Sequence, residues 1–318
     1  MIKLGGKSKS EKLIISVILS LIFYIGFVLF SDIGKVSSEF MKIQIEFVFL
    51  SILFSTFSLL IRAFRQKKLL DKLGIKISMK KNIALFFSGM SMIITPLGVG
   101  GLIKSHFIKK NYDHSISKTA PVVFFERFND LFAVTTILAI VLVLHYFWQG
   151  AVIFGIGLCL LVILYLIMSN KNFLQFLQNK IKRINFLNNF LPNPEFYDSF
   201  SIFTKKKTTF TIWGISVISF IFDTVAVYFG FLAFGQNLEF IEITGYYLSS
   251  IVFGSISFLP AGIGITEGSF VGFLVSNDLE LHLASSIVLL IRFTTIWFAT
   301  IVGFISYRFI LKMKINQD

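Results

Sequence analysis

Six charged residues lie inside apolar stretches of this 318-residue chain: Glu126, Arg127, Asp130, Asp223, Glu267 and Arg292. Charges buried in membrane-length apolar sequence are costly and ordinarily face a cavity, a partner or a substrate. Two arginines suit the holding of an anion. Four carboxylates suit charge balance or proton carriage. Glu126 and Asp130 are four residues apart and share one helix face, with Arg127 beside them. A structural ion pair between Arg127 and Asp130, or another carboxylate, is the alternative to an anion-binding role. Arg292 has no carboxylate within a helical turn. Its partner is expected to be Glu267, Asp223 or a substrate anion.

Each arginine follows a break in apolar sequence. TPLGVGG (Thr95 to Gly101) precedes Arg127, which lies 31 residues after Pro96. LPAGIGITEG (Leu259 to Gly268) precedes Arg292, which lies 32 residues after Pro260. Proline removes a backbone donor and glycine relaxes φ, so Pro96 and Pro260 with their glycines end a continuous helix. Broken backbone within a bilayer is tolerated only where protein or a water-filled cavity satisfies it. The limb returning from each break starts a helix whose first N–H groups are unpaired and carry partial positive charge. Gly98, Gly100 and Gly101 in one copy, and Gly262 and Gly264 in the other, leave those amides uncovered. Such ends bind phosphates and carboxylates. Close helix packing is the competing use of the same glycines. Lys104, one turn beyond Gly100, can meet a headgroup at the mouth or snorkel to the interface.

The elements that position these residues follow from the apolar stretches: 13–30, 43–61, 82–108, 119–145, 151–168, 208–234, 241–276 and 283–307. A full span takes about 20 residues. Twenty-six of the 30 basic residues fall in five segments: the N-terminus, 62–81, 104–118, 170–207 and the C-terminus. The positive-inside rule makes those segments cytoplasmic. The stretch broken at Pro96 has Lys80 and Lys81 before it and Lys109 and Lys110 after. The stretch broken at Pro260 has Glu239 and Glu242 before it and Asp278 and Glu280 after. Each therefore returns to the side it entered from. A limb such as 82–95 reaches about 21 Å at 1.5 Å per residue, enough to reach mid-membrane. A single kinked span is the alternative, and it would leave like-charged flanks on opposite sides.

The expected fold is all-α: a polytopic helical membrane protein with about six full spans and two oppositely oriented re-entrant helical hairpins. The two form an inverted repeat, with both termini inside. The chain reads as one integral membrane domain, 1–318, in the cell (plasma) membrane. Residues 1–169 form the first repeat half, 170–207 a cytoplasmic linker and 208–318 the second half. In the linker, Phe173, Leu177, Ile181, Ile184, Leu187 and Leu191 make an amphipathic face. It lies on the inner leaflet or packs on the bundle, and Pro192 and Pro194 end it. The first apolar run lacks a small-residue cleavage site and is expected to be a retained helix.

Composition excludes several classes. Hydrophobic residues make up 55% of the chain and charged residues 15%, against about 25% charged in soluble domains. No stretch is left for a soluble catalytic domain. The net charge of +13 follows the topology rule along one membrane face, so a nucleic-acid partner is not expected. The single Cys159 forms no intrachain disulfide. His106, His114, His145 and His282 show no ligand spacing, so no metal is expected. Nor is any cofactor, since there is no Walker motif, no nucleotide-binding glycine loop and no nucleophile beside a base.

RAFRQKKLL, TPLGVGGLIKSHFI, FFERFNDLF, LPAGIGITEGSF and LLIRF together resemble the lysylphosphatidylglycerol synthase transmembrane-region family of flippase-like proteins, over nearly the whole chain. The resemblance implies a two-subdomain helical module with re-entrant hairpins that moves a modified lipid between leaflets. In some relatives the module is fused to a synthase or glycosyltransferase domain. No such domain is expected among these 318 residues, so aminoacyl transfer is not carried over. Many relatives have Glu where Gly101 stands, and Arg where Thr266 stands before Glu267.

The expected activity is therefore lipid translocation rather than enzymic chemistry. The substrate would be an anionic phospholipid or a polyprenyl-phosphate-linked lipid. Arg127 and Arg292, with the hairpin glycines and Lys104, would hold the phosphate. Glu126, Asp130, Asp223 and Glu267 would balance charge or carry protons. The alternative is a non-catalytic membrane partner of a lipid-modifying enzyme or glycosyltransferase.

Overall fold

The computed structural model describes residues 23–93 (apart from 25, 28 and 30), 101–145, 148–169, 194–257 and 259–312. Among these residues all regular structure is helical. The helices are α1 (Ile33–Met41), α2 (Ile45–Lys72), α3 (Met79–Met90), α4 (Ile103–Tyr112), α5 (Ile116–His145) and α6 (Trp148–Ser169). Residues 194–312 carry α7 (Pro194–Phe203), α8 (Lys206–Leu232), α9 (Phe240–Ile256), α10 (Ile265–Val275), α11 (Leu281–Arg292) and α12 (Phe298–Lys312). A π-helical turn, Phe293–Trp297, joins α11 to α12, making one continuous rod.

Four of these are long and apolar enough to cross a membrane: α2, α5, α8 and the rod Leu281–Ile310. Shorter apolar helices occupy 151–166, 240–256 and 265–275. Most of the apolar run 13–30, and the amphipathic stretch 173–191, lie outside the described residues.

Helices α2 and α8 pack along their lengths. Ser51, Ser55 and Ser58 form a buried stripe on α2, and Ser216 and Ser219 answer it on α8. Small residues let membrane helices approach closely. Above the serines, Phe54 stacks on Phe229 with centroids 5.4 Å apart, and Phe47 stacks on Phe229 at 6.2 Å. The main core gathers residues of α5, α6, α8, α9, α10 and α11. A second core joins the ends of α2, α3, α4, α5, α7 and α8.

Both apolar breaks separate two helical limbs. The first pair is α3 and α4, with residues 94–100 between them outside the described set. The second pair is α9 and α10, which pack against each other around the corner 257–264. In that corner Ala261, Gly262 and Gly264 have φ of 52°, 67° and 93°, the left-handed region that glycine tolerates and alanine resists. The described part of the linker, α7, opens with Pro194, where a missing N–H costs nothing. It docks on α5, burying Phe196, Phe200 and Phe203, with Phe203 lying 5.2 Å from Phe125.

Candidate functional site

A chain of four ion pairs runs through the interior. The first joins the hairpin limb α4 to α5: Lys104 Nζ donates to Glu126 Oε2 at 2.8 Å and to Gln66 Oε1 at 2.8 Å. Gln66 in turn donates to Asn82 at 3.0 Å, and Asn82 donates to the Ala63 carbonyl at 2.7 Å. The second pair is Arg65 with Asp130, and Arg65 also donates to Ser216 at 2.6 Å. The third is Arg62 with Asp223, with Arg62 lying over the Phe220 ring at 4.5 Å, a stacking arginine suits. The fourth is Arg292 with Glu267 at 2.6 Å.

Glu267 is fully buried and fully engaged. Its Oε1 accepts from Tyr24 and from Arg292 Nε, and its Oε2 accepts from the Gly264 N–H at 2.8 Å. Arg292 also donates to the carbonyl of Ala261 at 2.8 Å. The arginine thus satisfies a carbonyl that the broken backbone frees, as a break in a bilayer requires. Of the two carboxylates expected for Arg292, the structure brings Glu267 to it. Asp223 pairs instead with Arg62.

The two hairpins are held by latches of opposite sense. In the first, the hairpin supplies the cation (Lys104) and the following helix the carboxylate (Glu126). In the second, the hairpin supplies the carboxylate (Glu267) and the following helix the cation (Arg292). Lys104 reaches Glu126 through a slot over Gly89 of α3. A Cβ built at Gly89 would stand 2.9 Å from the lysine Cγ and Cδ. Gly89→Val is therefore expected to expel the lysine and cost about 1–3 kcal/mol by overpacking. Combined with Lys104→Met, it should cost less than the sum of the two single changes, because the changes share one slot. Thermal melts of the four variants read this; strict additivity would show that the slot does not matter.

Arg127 stands apart. Its side chain is 53% exposed, and its nearest carboxylate oxygen, Asp130 Oδ2, is 3.9 Å away and belongs to a residue already paired with Arg65. The ion pair with Asp130 weighed from sequence is thus present only at the edge of range. Four cations face four carboxylates along the chain of pairs, and Arg127 is the cation in excess. Phe124, one turn before it on α5, is also exposed. The glycines divide as well. The Gly264 N–H is taken by Glu267, and Gly262 lies against the backbone of Gly254. Gly101 abuts Val123 of α5. Pro96, Gly98 and Gly100 lie outside the described residues. Among the described residues no three His, Cys, Asp or Glu side chains are grouped to hold a metal.

Arg62 and Arg65 were missed by sequence, which assigns them to the cytoplasmic segment 62–81. The structure continues α2 unbroken to Lys72 and turns both guanidiniums into the bundle. The readable signal was the stripe Ser51, Ser55, Ser58, Arg62, Arg65 and Leu69, whose three- and four-residue spacing continues one helix face past the apolar limit at 61.

Comparison with known proteins gives the chain its relatives. The sequence model of the Lysylphosphatidylglycerol synthase TM region family matches residues 14–303. A UPF0104 membrane protein of Methanocaldococcus jannaschii is 26% identical over 231 residues, covering 70% of this chain and 97% of that protein. A UPF0104 membrane protein of Pyrococcus horikoshii is 30% identical over 117 residues, 34% of this chain and 33% of its own length. Another, of Methanothermobacter thermautotrophicus, is 30% identical over 105 residues, 32% of this chain and 31% of its own length. The chain thus spans about a third of the length of the last two relatives.

Proposed function

The chain belongs to the Lysylphosphatidylglycerol synthase TM region family of integral membrane proteins, and from that premise we propose that it is a lipid translocase. It moves an anionic phospholipid or a polyprenyl-phosphate-linked lipid between the leaflets of the cell membrane. Its two hairpins enter from opposite faces between about six spans with both termini inside, as the basic and acidic flanks suggest.

The observation that carries this reading is Arg127. It lies about 17 Å along α5 from Ile116 at 1.5 Å per residue, close to mid-bilayer depth. A half-exposed guanidinium at that depth, beside an exposed Phe124, is costly without an anion. A lipid supplies both halves of what is missing: a phosphate for the guanidinium and an acyl chain for the ring. Lys104, on the neighbouring limb α4, is held by Glu126 and Gln66. Arg292 is likewise engaged on both sides, and we assign it to holding the second hairpin.

The test uses purified protein in liposomes carrying labelled phosphatidylglycerol, phosphatidylcholine or polyprenyl phosphate. Movement of the anionic lipids is expected, with phosphatidylcholine left behind. Arg127→Gln is expected to lower the rate about ten- to a hundredfold, the loss of one charged hydrogen bond, while the melting temperature stays near wild type. If no lipid moves with folded protein and an ion gradient present, the alternative gains: a partner subunit for a lipid-modifying enzyme or glycosyltransferase. If anionic lipid moves equally well in Arg127→Gln, the arginine is not the phosphate site.

A further inference from the structure

We propose that Arg65 is an inner phosphate site and that Asp130 is its displaceable occupant: a lipid phosphate arriving at Arg127 changes places with Asp130. The contacts run in one line from the exposed side of α5 into the bundle. Arg127 is 53% exposed, and its Nη1 lies 3.9 Å from Asp130 Oδ2. Asp130 is 14% exposed, and its Oδ1 accepts from Arg65 Nη1 at 2.5 Å. Arg65 is 2% exposed, and the same Nη1 donates to Ser216 Oγ of α8 at 2.6 Å. Asp130 therefore stands between an open guanidinium and one sealed in the bundle.

Asp130 does not satisfy the sealed one. Arg65 Nε is buried and has no acceptor. Arg62, one turn earlier on α2, repeats the pattern: its Nη2 pairs with Asp223, and its Nε is buried without an acceptor. Buried donors left unmade are costly, and a purely structural arginine is expected to spend them. Arg292 does so, with Nε on Glu267 and Nη2 on the Ala261 carbonyl. A guanidinium presents its N–H groups as a planar fork that matches phosphate oxygens two at a time. Asp130 takes one nitrogen of Arg65 and leaves Nε bare. A phosphate, with more oxygens, can serve both.

The exchange strands no charge. Before it, the phosphate sits on Arg127 and Asp130 on Arg65. After it, the phosphate sits on Arg65 and Asp130 on Arg127, at the edge of whose range it already stands. Each cation has an anion at both ends, so the penalty of an unpaired buried charge is avoided. Phe124, exposed one turn before Arg127, offers an apolar surface for the chain that carries the phosphate. The choice of a lipid as the source of that phosphate rests on the translocase reading.

The test is melting in neutral detergent with phosphatidylglycerol, phosphatidylcholine of matched chains, or inorganic phosphate. Asp130→Asn strands Arg65 and is expected to melt about 5–10 °C below wild type. Phosphatidylglycerol should restore at least about half of that loss by binding the folded state, and the other two additions should restore none. Glu267→Gln is the control. It removes the same charge and strands Arg292, but in a sealed pair of 0% and 7% exposure, so phosphatidylglycerol should not restore it. Replacing Arg65 and Asp130 together by Met removes the site; that variant should gain from phosphatidylglycerol no more than wild type does. Rescue of Asp130→Asn by inorganic phosphate as well would keep the site and assign it to a soluble phosphate. Should Asp130→Asn yield no folded protein in any lipid, Ser216→Ala decides. It takes an acceptor from Arg65 without touching a charge, and its gain from phosphatidylglycerol should be at least about twice that of wild type. Equal gains in Asp130→Asn and Glu267→Gln, or in Ser216→Ala and wild type, overturn the proposal. If phosphatidylglycerol rescues Asp130→Asn while wild type moves no labelled lipid in liposomes, the inner site stands and the translocase reading falls. If lipid moves, and slows in Arg127→Gln, without that rescue, the translocase reading stands and the inner site falls.

Discussion

Arg292→Gln is expected to cost about 3–5 kcal/mol of stability, the penalty of leaving a buried carboxylate without its charge partner. Glu267 is 0% exposed and Arg292 7%, so water cannot replace the lost partner. The substitution also strips the Ala261 carbonyl of its donor, at a corner where the backbone is already strained. Glu267→Gln should cost a similar amount from the other side. The double change to Met at both positions should recover much of the loss, since removing a buried pair together leaves neither charge stranded. Melting and monodispersity in detergent would read all three variants. Wild-type stability in Arg292→Gln would mean that Glu267 finds another cation. The same geometry warns against reading lost transport in Arg292→Gln as a lost phosphate site, because the variant undermines the hairpin before any lipid is bound.

Much of the architecture was legible because it rests on local chemistry. Proline and glycine at 96–101 and 260–264 can only interrupt a helix, and the second interruption is a corner of left-handed residues flanked by α9 and α10. The pairing of Arg292 with Glu267 was open to sequence because few carboxylates exist in the apolar stretches. What sequence could not give was the depth at which each charge sits. Arg62 and Arg65 follow directly on an apolar run and precede six lysines, so composition placed them with the lysines. Their direction depends on the helix phase set by the serine stripe, and their depth on how far α2 leans against α8. Arg127 shows the reverse. Its place inside an apolar helix suggested burial in a site, yet its phase turns it outward while Glu126, one residue earlier, turns inward. A single residue step of about 100° on a 3.6-residue helix separates the two fates.

The hairpin latches give this difference a mechanical meaning. Two breaks of similar sequence would be expected to carry like charges in like places. Here the cation of the first latch sits on the hairpin and the cation of the second on the scaffold. The first latch has a free carboxylate oxygen and a flexible lysine. The second has a saturated carboxylate and an arginine tied at two points. One break is thus flanked by a carboxylate with a free oxygen and the other by a carboxylate with none.

Gly262→Val should disable the firm closure from within, with a cost of roughly 1–3 kcal/mol from left-handed φ and a similar amount from overpacking. The residue has φ of +67°, and a Cβ there would meet Thr266 Oγ1 at 2.5 Å and the Gly254 Cα at 3.0 Å. The facing glycine is as constrained: a Cβ on Gly254 would meet the same hydroxyl at 2.0 Å. Rotation of Thr266 could move its hydroxyl, but the Gly254 backbone, 3.0 Å from a Cβ on Gly262, cannot turn aside. Gly268, six residues on, has nothing within 4 Å of its would-be Cβ; Gly268→Ala should melt with wild type or slightly above it, as alanine suits a helix interior. The pair of variants separates the two uses weighed for these glycines. If Gly262 served only to bare an amide for an anion, its valine variant would fold normally and lose lipid movement alone. The expected result is a hairpin that no longer closes, seen as lost folded yield before any assay of transport, because the glycine is there to let two helices touch.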